Sequence, residues 1–157
     1  MLLGLVQSPP LRGMKPDSRR LSLETSLFRI LLADSFEPWI RYVRSTLEKN
    51  EGLQIVGEAR DGLEVVQKAI ELKPDLVLLS LGLPKLNGIQ AAKQIRKAVP
   101  RVKLLFAMQI IDQEMMAEAL NNGAHGYIWK VEAQRDLLLA IRTILQGEKF
   151  ISGGKKG

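Results

Sequence analysis

The chain has no cysteine and one histidine, His125. Without thiols there is neither a disulfide framework nor a thiolate metal site. A lone imidazole rules out a histidine cluster, and His125, beside Gly123 and Gly126, reads as a loop residue. No apolar run approaches the roughly 18 residues that a membrane helix needs. Residues 1–6 are apolar but lack a basic flank and are too short for a signal segment, so a cytoplasmic location is expected. No glycine-rich phosphate loop follows the first strand-like run, where Ser35-Phe36-Glu37-Pro38 stands, and this disfavours nucleotide binding of the Rossmann or P-loop type. A Ser-His-Asp set is missing too, since His125 has no credible nucleophile partner.

What is there suits one soluble globular domain. The 157 residues are 46% hydrophobic and 25% charged, and the chain is long enough to bury a real core. The net charge of +6 is uneven. Residues 1–27 carry Arg12, Lys15, Arg19 and Arg20 against Asp17 and Glu24, and the last six residues add Lys155 and Lys156. Residues 28–151 hold 17 basic and 15 acidic groups, so the tails raise the charge more than the body does. A nucleic-acid partner is therefore not expected from net charge. Residues 1–27, with Pro9, Pro10, Pro16 and no sustained period, read as a flexible extension in which Met14 offers an alternative start. The end from Ser152 onward, and residues 153–157 in particular, reads as a flexible tail, leaving 28–152 as the domain.

Between the tails, strand and helix patterns alternate five times. Apolar runs at 29–33, 53–57, 75–80, 103–108 and 126–129 are mostly continuous rather than alternating, as in strands covered on both faces of a parallel sheet. Each is followed by a helical period, such as Ile40, Val43 and Leu47, or Leu138, Ile141 and Leu145. Strict alternation predicts an α/β, flavodoxin-like (βα)5 three-layer sandwich with parallel strand order 2-1-3-4-5. Its ligand crevice lies at the carboxyl ends of strands 1 and 3. Asp34 and Ser35 stand there after strand 1, Ser80 at the end of strand 3, Met108 and Gln109 after strand 4, and Lys130 after strand 5.

An ordered series of motifs runs through these positions. It comprises Leu31-Leu-Ala-Asp-Ser35, Val56-Gly-Glu-Ala-Arg-Asp-Gly62, Pro74-Asp-Leu-Val-Leu-Leu-Ser-Leu-Gly-Leu-Pro84, Leu86-Asn-Gly88 and Asn122-Gly-Ala-His-Gly-Tyr-Ile-Trp-Lys130. The series resembles the receiver domains of bacterial response regulators over residues 28–152, and most of all the subfamily usually followed by a helix-turn-helix output. Even Gly147-Glu-Lys-Phe-Ile-Ser152 is similar to the end of that subfamily's receiver.

The resemblance implies phosphoryl transfer from a histidine kinase to an aspartate, assisted by Mg²⁺, but the implied site is depleted here. The acidic pair becomes Asp34 and Ser35, the phospho-acceptor position is Ser80, and the hydroxyl that grips the phosphoryl group is replaced by Met108. Only Lys130 and the aromatic switch position, Tyr127, are kept. Mg²⁺ prefers several hard oxygen ligands, so binding at the remaining carboxylate, Asp34, is expected to be weak or absent. A neutral serine without an activating base is a weak nucleophile. Replacing carboxylates with serine also relieves like-charge repulsion and leaves Asp34 to pair with Lys130.

The expectation is a stand-alone, non-enzymatic pseudo-receiver in a phosphorelay. With no output domain after residue 152, it would act by contacts with a histidine kinase, another regulator or an output protein in trans. Tyr127 and Trp129 lie on the same side of strand 5, taken as the sheet edge; core packing is one reading of each ring, and with Met115 and Met116 they are also candidates for a switch or dimer surface on helix 4, strand 5 and helix 5. Adjacent methionines do not share a helix face, so one of the two is expected in the core. Two alternatives stay open: a working phospho-switch with a non-standard site, and a polyanion-binding module. The latter would use the tails and helix 3, where Lys85, Lys93, Arg96, Lys97, Arg101 and Lys103 occur between Asp75 and Asp112 with no acid among them.

Overall fold

Continuous runs of Leu, Ile and Val can bury both faces of a strand only inside a sandwich, and the chain forms one. The computed structural model describes residues 27–110 and 112–153. The strands are β1 (Phe28–Ala33), β2 (Leu53–Ala59), β3 (Leu76–Ser80), β4 (Lys103–Met108) and β5 (Gly126–Trp129), joined by a short β6 (Phe150–Ile151). The helices are α1 (Glu37–Glu48), α2 (Gly62–Leu72), α3 (Gly88–Ala98), α4 (Gln113–Asn121) and α5 (Ala133–Leu145), with a 3₁₀ turn at Lys130–Glu132. All pairings are parallel, in the order β2-β1-β3-β4-β5-β6. The expected order 2-1-3-4-5 holds. The segment assigned to the flexible extension, apart from residue 27, lies outside the described residues, as do residues 154–157.

Alternation within each strand divides the core in two. Leu31, Ala33, Val77, Leu79, Leu104, Phe106 and Tyr127 face α2, α3 and α4 through Val65, Ala69, Ile89, Ile95 and Ala119. Ile30, Leu32, Leu76, Leu78, Leu105 and Ile128 face α1 and α5 through Ile40, Val43, Leu137, Ile141 and Ile144. β3 is the central element: Leu76 to Leu79 are all fully buried, each contributing about 2 kcal/mol of apolar transfer. Three helices begin on side-chain caps. Asp61, Asn87 and Asp112 accept from the backbone N–H of Glu64, Gln90 and Met115 and so satisfy otherwise orphaned donors.

β6 corrects the expectation that strand 5 is an edge. The backbone N–H groups of Phe150 and Ser152 donate to the carbonyls of His125 and Tyr127 at 3.1 and 2.9 Å. The approach is close enough that a Cβ on Gly126 would lie 2.0 Å from the Phe150 carbonyl oxygen. Ser152, read as the start of the flexible end, is instead buried, and its hydroxyl donates to the buried carboxylate of Asp136. Arg135 Nε holds the other Asp136 oxygen at 2.8 Å.

Candidate functional site

The crevice follows from strand direction. Strands β1, β3, β4 and β5 all end at one pole, and each leaves its last residues around a shared cavity of about 380 Å³. Asp34, Ser35, Ser80, Met108 and Lys130, the five positions singled out from sequence, all line it. The β3–α3 loop is drawn tightly beneath it: the Gly88 N–H donates to the Leu81 carbonyl at 2.7 Å, and a Cβ on Gly88 would sit 2.1 Å from the Ser80 carbonyl oxygen.

Asp34 is fully committed to the protein. One carboxylate oxygen accepts from Lys130 Nζ at 2.7 Å and the other from the Phe36 backbone N–H at 2.9 Å. The Asp34 side chain is 3% exposed and that of Lys130 11%, so this is a desolvated ion pair. The ammonium also lies 5.3 Å from the centroid of the buried Trp39 ring, a cation–π distance that holds it from a second side. Trp39 in turn stacks on Tyr42 with centroids 5.7 Å apart.

The two serines are not activated. Ser35 is exposed, while the Ser80 hydroxyl accepts from the Gly82 N–H at 3.3 Å. No base is hydrogen-bonded to either hydroxyl among the described residues. Met108 is buried, with its thioether packed into the cluster that holds Phe106 and Tyr127.

A divalent cation fits this donor set poorly. Both Asp34 oxygens already accept protein hydrogen bonds, the ammonium sits on one of them, and the nearby hydroxyls are neutral. No group of three or more metal-ligating His, Asp or Glu side chains occurs among the described residues. Asp34 is nevertheless not the only carboxylate at the cavity. Asp112, which caps α4, lines its far rim with Met115. Sequence reasoning missed Asp112 at this site, although Asp directly before Gln113-Glu114 is an N-cap signature. It missed Trp39 altogether.

Tyr127 and Trp129 do share a side of β5, with ring centroids 5.4 Å apart, but that side is the α2-α3-α4 core. Tyr127 is only 5% exposed, and burial raises the pKa of its hydroxyl. Trp129 is half-buried against the same cluster, with Gly153 beside its indole nitrogen. The two rings therefore do not form an open edge patch. Of the methionine pair, Met116 packs against the core and Met115 is exposed. Exposed apolar side chains near the crevice, besides Met115, are Phe36, Ile110 and Val131, with Tyr42 beyond them. Phe36, Tyr42 and Val131, with Pro38 and Trp39, surround a second shallow cavity of about 350 Å³ beside Lys130.

A six-stranded parallel sheet with helices on both faces, and a carboxylate–lysine pair at the carboxyl ends of its strands, defines a signalling-receiver architecture. The family model for the response regulator receiver domain matches residues 30–142. The chain is 33% identical over 120 residues to the response regulator protein VraR of Staphylococcus aureus, covering 76% of this chain. It thus spans 57% of the length of that curated relative. Among solved structures, a LuxR-family two-component response regulator from Aurantimonas sp. SI85-9A1 superposes with a TM-score of 0.77 at 29% identity, covering 83% of this chain and 92% of that one. The response regulator domain of Thermotoga maritima CheB gives 0.71 at 30%, covering 78% and 98%. The chain belongs to the response regulator receiver domain family of two-component signalling. Such domains are signalling modules that work with histidine kinases and other signalling proteins. No helix among the described residues is long and apolar enough to cross a membrane.

Proposed function

We propose that this receiver domain acts as a pseudo-receiver: it takes no phosphoryl group at the crevice and signals by protein contacts. The observation that carries the reading is the state of Asp34. Its two oxygens are held by Lys130 and the Phe36 N–H, beside a neutral Ser80 at the end of β3 and a buried Met108 at the end of β4. A phosphoryl group entering here would meet one cation already neutralised by a carboxylate, a hydroxyl without a base, and an apolar side chain in place of a donor. The Phe36, Tyr42 and Val131 surface beside the crevice supports a contact role, since exposed apolar clusters rimmed by polar residues mark interaction sites.

Incubation with acetyl phosphate, or with a phosphorylated histidine kinase, in the presence of Mg²⁺ tests this by intact mass. The mass is expected to stay unchanged. An acid-labile gain of one phosphoryl group mapped to the crevice would sink the reading. Ser80→Asp alone is expected to remain a poor acceptor, because Ser35, Met108 and the Asp34–Lys130 pair persist. Rapid phosphorylation of that variant would show that these three matter little.

A further inference from the structure

The opposite pole of the sheet carries the other unusual charge distribution. α3 ends there with Lys93, Arg96 and Lys97 on one exposed face. These side chains and Gln94 face Asn121 and Asn122 at the end of α4 across a shallow groove of about 540 Å³. Arg101 is exposed just beyond, and Lys103 opens β4. Lys149, from the turn before β6, stands at the same pole: the N–H of the next residue, Phe150, donates to the His125 carbonyl at 3.1 Å, and His125 in turn is bonded to Leu104 beside Lys103. Among the described residues none of these six cations has a carboxylate within 4.0 Å. The helix dipole accounts for Arg96 and Lys97 in the last turn of α3. It does not account for Lys93, Arg101, Lys103 or Lys149.

We propose that this groove and its cationic rim bind the phosphate backbone of a nucleic acid. Other occupants fit less well. The chain's own ends are themselves basic, with Arg12, Lys15, Arg19 and Arg20 against Asp17 and Glu24 at one end and Lys155 and Lys156 at the other, so neither complements the groove. A second copy docked through the same face would oppose cation to cation. An acidic protein segment would want an apolar anchor at its centre, and none of the large exposed hydrophobic side chains lines this groove. Lysine, arginine and amide side chains with no apolar core are what backbone phosphates use, since those contacts need spaced N–H donors and positive charge alone. The low net charge of the body is an average that includes nine acid–base contacts elsewhere among the described residues, in which none of these six cations takes part.

The test is fluorescence anisotropy of the full chain with a labelled duplex DNA of about 30 base pairs, titrated at several salt concentrations. Binding that weakens steeply with salt is expected. The surface triple variant K93Q/K97Q/K149Q is expected to weaken it at least about tenfold and to flatten the log–log salt slope by roughly 0.9 for each phosphate left without its cation. A control neutralising Arg12, Lys15, Lys155 and Lys156 is expected to lose less than the triple variant. Circular dichroism confirms that each variant is folded. Three results would each overturn the proposal: no salt-dependent binding, a triple variant that binds within tenfold of the parent, or polyglutamate competing as well as DNA at equal charge. The last would assign the groove to acidic proteins instead.

Discussion

The two poles of the sheet handle charge in opposite ways. In the crevice at the carboxyl ends of the strands the lining cation is dry and paired, with Lys130 closed onto Asp34 and shielded by Trp39. Around the amino ends of β4 and β5 stand six cations, most of them exposed, with no carboxylate within 4.0 Å among the described residues. In a βα sandwich every helix starts at the first pole and ends at the second, so helix dipoles favour anions at the first and cations at the second. The basic pole goes with that field. The crevice goes partly against it, keeping one buried carboxylate neutralised by a lysine from a strand end. The crevice thereby keeps its ion pair shut in, while the basic pole offers its charges outward.

The sharpest way to break this contrast is to open the buried pair. Asp34→Ala strands Lys130 in a desolvated site and is expected to cost about 3–5 kcal/mol, because the remaining charge keeps its burial penalty and loses its partner. Removing both charges, as Asp34→Ala with Lys130→Met, is expected to recover most of that loss. Urea denaturation of the parent, the single and the double variant measures both. A single variant that unfolds like the parent would mean that Lys130 swings into water and that the crevice is not dry.

A smaller effect is expected at the C-terminal clasp of the same pole. Ser152→Ala removes the hydroxyl that donates to Asp136 and should cost about 2 kcal/mol, as for a hydrogen bond to a buried charged group. Amide hydrogen exchange is expected to quicken at Ser152 and Phe150, whose N–H groups bind β5, while β3 amides keep their protection. Equal loosening of both strands would mean that β6 is integral to the cooperative core.

The contrast between poles also separates what the sequence pattern reports from what only folding brings together. β1, β3 and β4 were legible because strands buried on both faces carry unbroken apolar runs, and the topology then placed Asp34, Ser80, Met108 and Lys130 at one crevice. β6 was not, because two residues cannot show a period and Phe150-Ile151 is held by backbone bonds to β5. Missing it made strand 5 an edge and made Tyr127 and Trp129 look exposed. The Trp39–Lys130 contact joins residues far apart in sequence on α1 and after β5, which no local pattern reports. The basic pole was half visible: the acid-free stretch pointed to α3, but Lys149 and His125 join it only through folding.

The smallest expected effect lies at that pole and concerns pH. The half-buried His125 ring accepts from the Leu104 N–H through Nδ1 at 3.0 Å, while its own backbone N–H donates to the Leu104 carbonyl at 2.8 Å. Protonating Nδ1 would remove that acceptor. Burial, then Lys103, Arg96 and Lys149, push the pKa below its ordinary value of 6.5 in the folded state. Between the folded and unfolded values the unfolded chain binds more protons, so stability rises with pH across this window. It is fully present above about 6.5, falls as pH drops below that, and levels off once the folded imidazole is charged. His125 is the only histidine of the chain. The difference in urea midpoint between the parent and His125→Asn should therefore change from pH 7.5 to 5.5, with the parent losing more. Adding Lys103→Gln and Lys149→Gln to the parent should shrink the pH slope without abolishing it, because burial is the largest cause and the ring stays buried. A slope unchanged by those two substitutions would place both cations too far from His125 to count, and with them the continuity of the basic pole.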